Sequence, residues 1–140
     1  MVRMIYALSI ILMYSHQVGA RSVEQVEIKE VSINSRAAKN PNEIAMCKEF
    51  RPTKEQIIHY FKSARELNED ETLLHEYYSP CIAKGNVKLD GNIKGEWTLQ
   101  SSGLAYILTD KKKNIVFFLK DNQWKDPYAC MYGLSGEDSC

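Results

Sequence analysis

The side chains able to do chemistry are few and scattered. Of the three histidines, His16 falls in an N-terminal apolar segment and His59 on the polar side of an expected helix. His75 precedes Glu76, and the pair opens like the H-E-x-x-H zinc motif, in which two histidines one helical turn apart bind the metal beside a glutamate base. Here the fifth position is Ser79, so the second ligand is missing and neither a metal nor another cofactor is expected. Ser79, Ser101 and Ser102 are possible nucleophiles, but no G-x-S-x-G surrounds them, and their pre-proline or turn positions account for them without chemistry. Glu96 with Asp90 or Asp126 is a carboxylate pair suited to acid–base work, if the fold brings the two together. No glycine-rich phosphate loop occurs. The reading therefore favours a protein without enzymatic activity. The alternative is a small hydrolase using Glu76, His75 or Asp126.

Aromatic residues in apparent loops carry the stronger signal. Tyr77 and Tyr78 precede Ser79-Pro80, and Trp124 stands beside Asp126, Pro127 and Tyr128, with Tyr132 shortly after. Tyrosine and tryptophan combine apolar area with a polar handle and so suit binding surfaces. In a small domain the same rings also pack around a disulfide and seal the ends of a sheet. Tyr77, Tyr78, Trp124, Asp126 and Tyr128 are the expected binding residues on this ground.

The elements that must position them form one α+β domain. Thr53 followed by Gln56 is a capping box. Ile57, Phe61 and Ala64 then share one helical face, which predicts a helix from about Lys54 to Leu67. Four strands are expected after it, at 81–89, 93–100, 104–109 and 115–119. They are separated by turns at Asp90-Gly91, Ser101-Ser102-Gly103 and 110–114. Short connections favour antiparallel neighbours. The expected fold is one N-terminal helix packed on a four-stranded antiparallel meander, an outline shared by cystatin-like and other helix-on-curved-sheet folds. Pro127 argues against a regular central strand in the segment beyond Leu119. Val26, Ile28, Val31 and Ile33 hint at a further short strand, but their alternation breaks between Ile28 and Val31. Residues 21–46 are therefore expected as a loosely ordered lead-in, with the domain proper at 47–140.

Residues 1–20 look like an export signal. Arg3 gives a positive start, residues 5–14 an uncharged apolar run, and Val18, Gly19 and Ala20 a cleavage site. The run is about half of the roughly 20 residues that span a bilayer, which disfavours the alternative of a retained anchor, and no later stretch is apolar enough to cross. Cleavage would remove one of the 18 basic side chains, Arg3, and none of the 18 acidic ones, leaving a net charge of −1. Near-neutrality argues against nucleic acid as a partner. Cys47, Cys81, Cys130 and Cys140 contain no C-x-x-C pair, and an even count in an exported chain reads as two disulfides. Of the three connectivities, Cys81–Cys130 with Cys47–Cys140 is preferred; a Cys81–Cys130 bond would draw the two aromatic clusters together. One disulfide with Cys140 free is the alternative.

Four segments, CKEFRPTKEQ (47–56), HEYYSPCIAKG (75–85), DGNIKGEWTLQSSG (90–103) and WKDPYACMYG (124–133), resemble a family of short, exported and largely uncharacterised proteins of Gram-negative bacteria. The resemblance implies a periplasmic or secreted single-domain protein and supplies no catalytic residues. SSGLAY (101–106) also resembles the Ser-Gly loop by which one class of lysozyme inhibitors blocks its target, which adds Ser102 and Gly103 to the expected binding residues. The expected function is stoichiometric capture of another envelope protein, as by an inhibitor or an immunity protein. A structural module of a larger envelope assembly is a further alternative.

Overall fold

The computed structural model describes residues 21–36, 40–68 and 76–132. The expected signal at 1–20, His75 and Cys140 lie outside the described residues. Eight elements follow in order: β1 (Val23–Asn34), α1 (Pro41–Cys47), α2 (Lys54–Ser63), β2 (Arg65–Glu66), β3 (Cys81–Leu89), β4 (Ile93–Gln100), β5 (Leu104–Thr109) and β6 (Asn114–Phe118). The strands form a six-stranded antiparallel sheet in the order β1-β3-β4-β5-β6-β2. The expected four-stranded meander is thus only the middle of the sheet. Among the described residues two short helices, α1 and α2, rather than one, lie between β1 and its neighbour β3.

The strand missing from the sequence reading is β1, and its irregular register explains why. It pairs with β3 from Val23↔Leu89 to Asn34↔Cys81, with irregularities between Val23 and Gln25, Ile28 and Glu30, and Glu30 and Ile33. Each bulge sets two residues against one and resets which side chain faces inward. Val23, Val26 and Ile28 still reach the core, but no strict alternation survives. Ser32, at φ 61°, belongs to the same distortion. Residues 21–46 therefore supply the longest strand and most of a helix. The bulges and the charges of Glu24, Glu27, Lys29 and Glu30 blunt this exposed edge against pairing with another chain.

Helix α2 begins as expected. Thr53 Oγ1 accepts from the Gln56 amide at 3.3 Å, and Gln56 Oε1 accepts from the Thr53 amide at 2.9 Å. The helix ends at Ser63, short of the expected Leu67, because Ala64 turns extended at ψ 138°. Arg65 and Glu66 then pair with Phe118 and Phe117, and the Leu67 amide donates to Val116 at 2.9 Å. The open edge of β6 captures what helical propensity alone would have continued.

One face of the sheet packs on α2. Ile57, Tyr60 and Phe61 meet Trp97, Leu99, Ile107 and Phe117, all fully buried. Phe61 stands edge-on to Trp97 and Phe117, at 6.3 and 5.9 Å between centroids. Each such ring removes roughly 150–250 Å² from water, on the order of 4–6 kcal/mol of transfer free energy before entropy is charged. Trp97 lies across β3, and its Nε1 donates to the Asn86 carbonyl at 3.0 Å. Gly85 makes this possible: a Cβ there would sit 2.7 Å from Trp97 and 1.8 Å from the Glu27 carbonyl.

The Cys47–Cys81 disulfide fastens the end of α1 to the start of β3, with 4.9 Å between Cα atoms. It replaces the expected Cys81–Cys130 and Cys47–Cys140 pairing: β1 runs beside β3, and the chain leaving it brings α1 back to the first residue of β3. Cys130 is also disulfide-bonded. Among the described residues, no helix is long and apolar enough to cross a membrane.

Candidate functional site

The sheet end beside Cys81 gathers most of the expected site residues, in two different roles. The first is a buried polar chain. The Cys81 amide donates to Ser79 Oγ at 3.2 Å, Ser79 and Ser101 hydroxyls meet at 2.7 Å, and Ser101 Oγ donates to Asp126 Oδ1 at 2.6 Å. Since the single Ser101 proton goes to Asp126, Ser79 is the donor to Ser101. Asp126 also accepts from the Tyr128 amide at 2.9 Å and from the Tyr132 hydroxyl at 2.8 Å. Burial first, and also the Asp126 carboxylate, push the Tyr132 hydroxyl well above the usual phenol range. Trp124 Nε1 donates to the Ser101 carbonyl at 2.8 Å. Ser79 and Ser101 are fully buried, and three donors occupy both oxygens of Asp126. This chain is a latch that pins residues 124–132 to the sheet.

Trp124 belongs to the core. It is 8 % exposed and packs on Phe50 and Tyr60 at 5.8 and 5.7 Å. Ser102 and Gly103 are buried too. The Ser102 hydroxyl accepts from the Leu104 amide at 3.4 Å, and the Gly103 carbonyl accepts from the Tyr60 hydroxyl at 2.9 Å. The turn is therefore buried at the end of the sheet, with its serines turned away from solvent.

The second role is at the surface. Tyr78 is 43 % exposed. Its hydroxyl lies 3.3 Å from Ser35 Oγ, and the Arg36 guanidinium sits over its ring at 5.8 Å. Arg36 Nη1 donates to Glu43 at 2.6 Å. Tyr128 adjoins the same pair: burial and the Glu43 carboxylate raise its hydroxyl, and Arg36 acts in the opposite sense. Met131, 65 % exposed, follows on a turn in which its amide donates to the Tyr128 carbonyl at 2.9 Å. The two aromatic clusters do come together, through β1 and α1 and without the expected Cys81–Cys130 bond. Arg36 and Met131 lay outside the expected site, because only the fold brings residue 36 beside residue 78.

Tyr77 has a third placement, on the outer face of the sheet away from α2. Its ring lies tilted against Phe118 at 4.8 Å and meets Tyr132 at 5.6 Å. With Leu67, Leu104 and Val116 it covers the β5–β6 half of that face. None of the described residues covers the half formed by β1, β3, β4 and the start of the β5–β6 turn. It holds a concavity of about 460 Å³ with Glu27, Lys88, Lys94, Glu96, Asp110 and Lys112 in its wall. The candidate acid–base carboxylates are dispersed. Asp90, at the β3–β4 turn, accepts from the Ser22 amide at 3.0 Å. Glu96 pairs with Lys29 at 3.1 Å on the outer face. Asp126 is at the opposite end of β4 from Asp90. His59 is exposed on α2, and no cluster of three metal-ligating side chains occurs among the described residues. No known family, curated protein or solved structure matches this chain.

Proposed function

We propose that the protein is an exported, non-enzymatic binding protein of the bacterial envelope. It holds a partner protein in stoichiometric complex through the surface of Tyr78, Arg36, Tyr128 and Met131. The observation carrying this reading is Tyr78, 43 % exposed with the Arg36 guanidinium over its ring at 5.8 Å, together with Met131, 65 % exposed on the turn that also holds Tyr128. Tyrosine, arginine and methionine are enriched at the energetic centres of protein interfaces. The surface stands on a braced base: the Cys47–Cys81 bond fixes α1 to β3, and the Asp126 latch holds the segment of Tyr128 and Met131. Such pre-ordering lowers the entropy lost on binding. The saturation of Asp126 by three donors favours a structural role for it over acid–base catalysis. Export is supported by the layout of residues 1–20, by the resemblance to short exported proteins, and by a disulfide of the kind that persists in oxidising compartments.

The test is capture of envelope proteins, with a panel of lysozymes alongside, on the oxidised chain beginning at Arg21. Tyr78→Ala and Arg36→Ala are the variants. A partner retained one-to-one by the wild type, and weakened about tenfold or more by Tyr78→Ala, is expected for a hot-spot tyrosine. Retention unchanged by both variants refutes this surface.

A further inference from the structure

We infer that Cys130 and Cys140 form a second disulfide, and that this bond, unlike Cys47–Cys81, is a reducible lock on the turn that carries Tyr128 and Met131. Its bearing on binding rests on the Tyr78 surface proposed above; the bond and its reducibility do not.

The pairing follows from the state of the other three cysteines. The chain has four. Cys47 and Cys81 are bonded to each other. Cys130 is disulfide-bonded as well, which leaves Cys140 as its partner.

Cys130 stands in surroundings opposite to those of Cys47 and Cys81. Those two are fully buried members of the core that holds Phe50, Tyr60 and Trp97. A reducing thiolate must reach a sulfur atom, so opening their bond requires the core to open first. Cys130 is exposed and lies in neither helix nor strand. Around it the backbone is held by turns alone: the Ala129 amide donates to the Asp126 carbonyl at 3.3 Å, and the Met131 amide to the Tyr128 carbonyl at 2.9 Å. Exposed disulfides of this kind are the labile ones.

The lock acts on the binding surface because Cys130 sits between Tyr128 and Met131. A ring closed through Cys130 removes freedom from that turn, and opening it returns the freedom. The reductant is a dithiol of the thioredoxin type. One of its thiolates attacks the bond to form a mixed disulfide, and its second thiol displaces the protein sulfur. Two electrons and two protons pass to the protein, which keeps two thiols, and the reductant leaves as a disulfide. The bonds from Tyr128 and Tyr132 to Asp126 remain, as does Cys47–Cys81, so the domain stays folded while the turn loosens.

The test uses the oxidised chain from Arg21 without a partner, so its outcome and that of Tyr78→Ala are read separately. Trypsin cuts after Lys125, and no Lys or Arg follows. The assignment predicts a 126–140 peptide closed on itself, lighter than its reduced form by a pair of hydrogens. Dithiothreitol is then raised stepwise in native buffer and the thiols are trapped with iodoacetamide. Cys130 and Cys140 should be labelled at concentrations about tenfold or more below those that label Cys47 and Cys81. In the protein so opened, and in the combined variant Cys130→Ser and Cys140→Ser, the Met131 amide should exchange with solvent about threefold faster or more, with the amides of β3, β4 and β5 unchanged. A 126–140 peptide linked to another peptide, both bonds opening together, or unchanged Met131 exchange in the variant overturns the proposal.

Discussion

Asp126→Ala is the substitution that most sharply separates a latch from a reactive group. The carboxylate accepts from Ser101 at 2.6 Å, Tyr132 at 2.8 Å and the Tyr128 amide at 2.9 Å. In the alanine variant the Tyr132 hydroxyl and the Tyr128 amide, both half-buried, can turn to water and recover most of their loss. Ser101 cannot, because it is fully buried. Stranding that hydroxyl costs about 1–3 kcal/mol, and the lost charge-assisted bonds bring the total to about 3 kcal/mol. Asp126→Asn keeps an acceptor for Ser101 and Tyr128 and gives up only the bond from Tyr132, so it should cost about 1 kcal/mol. Urea unfolding followed by tryptophan fluorescence reads both, since Trp124 donates to Ser101 itself. A cycle of Asp126→Ala with Ser101→Ala should show a coupling of about 1 kcal/mol or more. A cost below about 0.5 kcal/mol for Asp126→Ala, the range of ordinary surface changes, refutes the latch.

Three further outcomes follow from the same geometry. Replacing both Cys47 and Cys81 by serine opens a bond spanning 34 residues and should cost about 4 kcal/mol in the chain-entropy account, seen as a lower melting temperature that reductant no longer changes at this site. Gly103→Ala would place a Cβ 1.9 Å from the Leu119 carbonyl at a φ of +90°; the account expects a loss of about 3 kcal/mol or more in the same urea assay, and a variant as stable as the wild type contradicts that packing. Burial raises the hydroxyls of Tyr60 and Tyr132, so the unfolded chain gives up these protons first as pH rises. Their contribution is therefore intact below about pH 10 and is lost progressively above it. Tyr132→Phe should flatten part of that alkaline decline.

Much of the sheet was legible because its determinants are local. Asp90-Gly91 and Ser101-Ser102-Gly103 are turn sequences, and the runs between them alternate or are continuously apolar, so β3, β4 and β5 stand where the residues predict. β6 begins one residue earlier and ends one residue sooner than expected. The Thr53–Gln56 capping box likewise announces α2. What the residues hide depends on partners distant in the chain. The bulges of β1 scramble its alternation and make sense only against β3. Arg65 and Glu66 turn from helix to strand only because β6 offers a free edge. The Cys47–Cys81 bond follows from the path of α1, which spacing does not encode. At the candidate site, the aromatic residues were visible as a set, but their division was not. Trp124 went to the core, Tyr77 to the outer face and Tyr78 to the surface, each according to which strand lies beneath it. Arg36 is an ordinary exposed cation in sequence and acquires meaning only from its neighbours Tyr78 and Glu43.

The most direct test of the account is one-to-one capture by the oxidised chain, quantified for the wild type, Tyr78→Ala and the Asp126→Asn control. The account predicts one partner bound by the wild type and the control, weakened about tenfold or more by Tyr78→Ala, with the partner left chemically unchanged. Equal retention by Tyr78→Ala, or turnover of the bound partner abolished by Asp126→Asn, would contradict it.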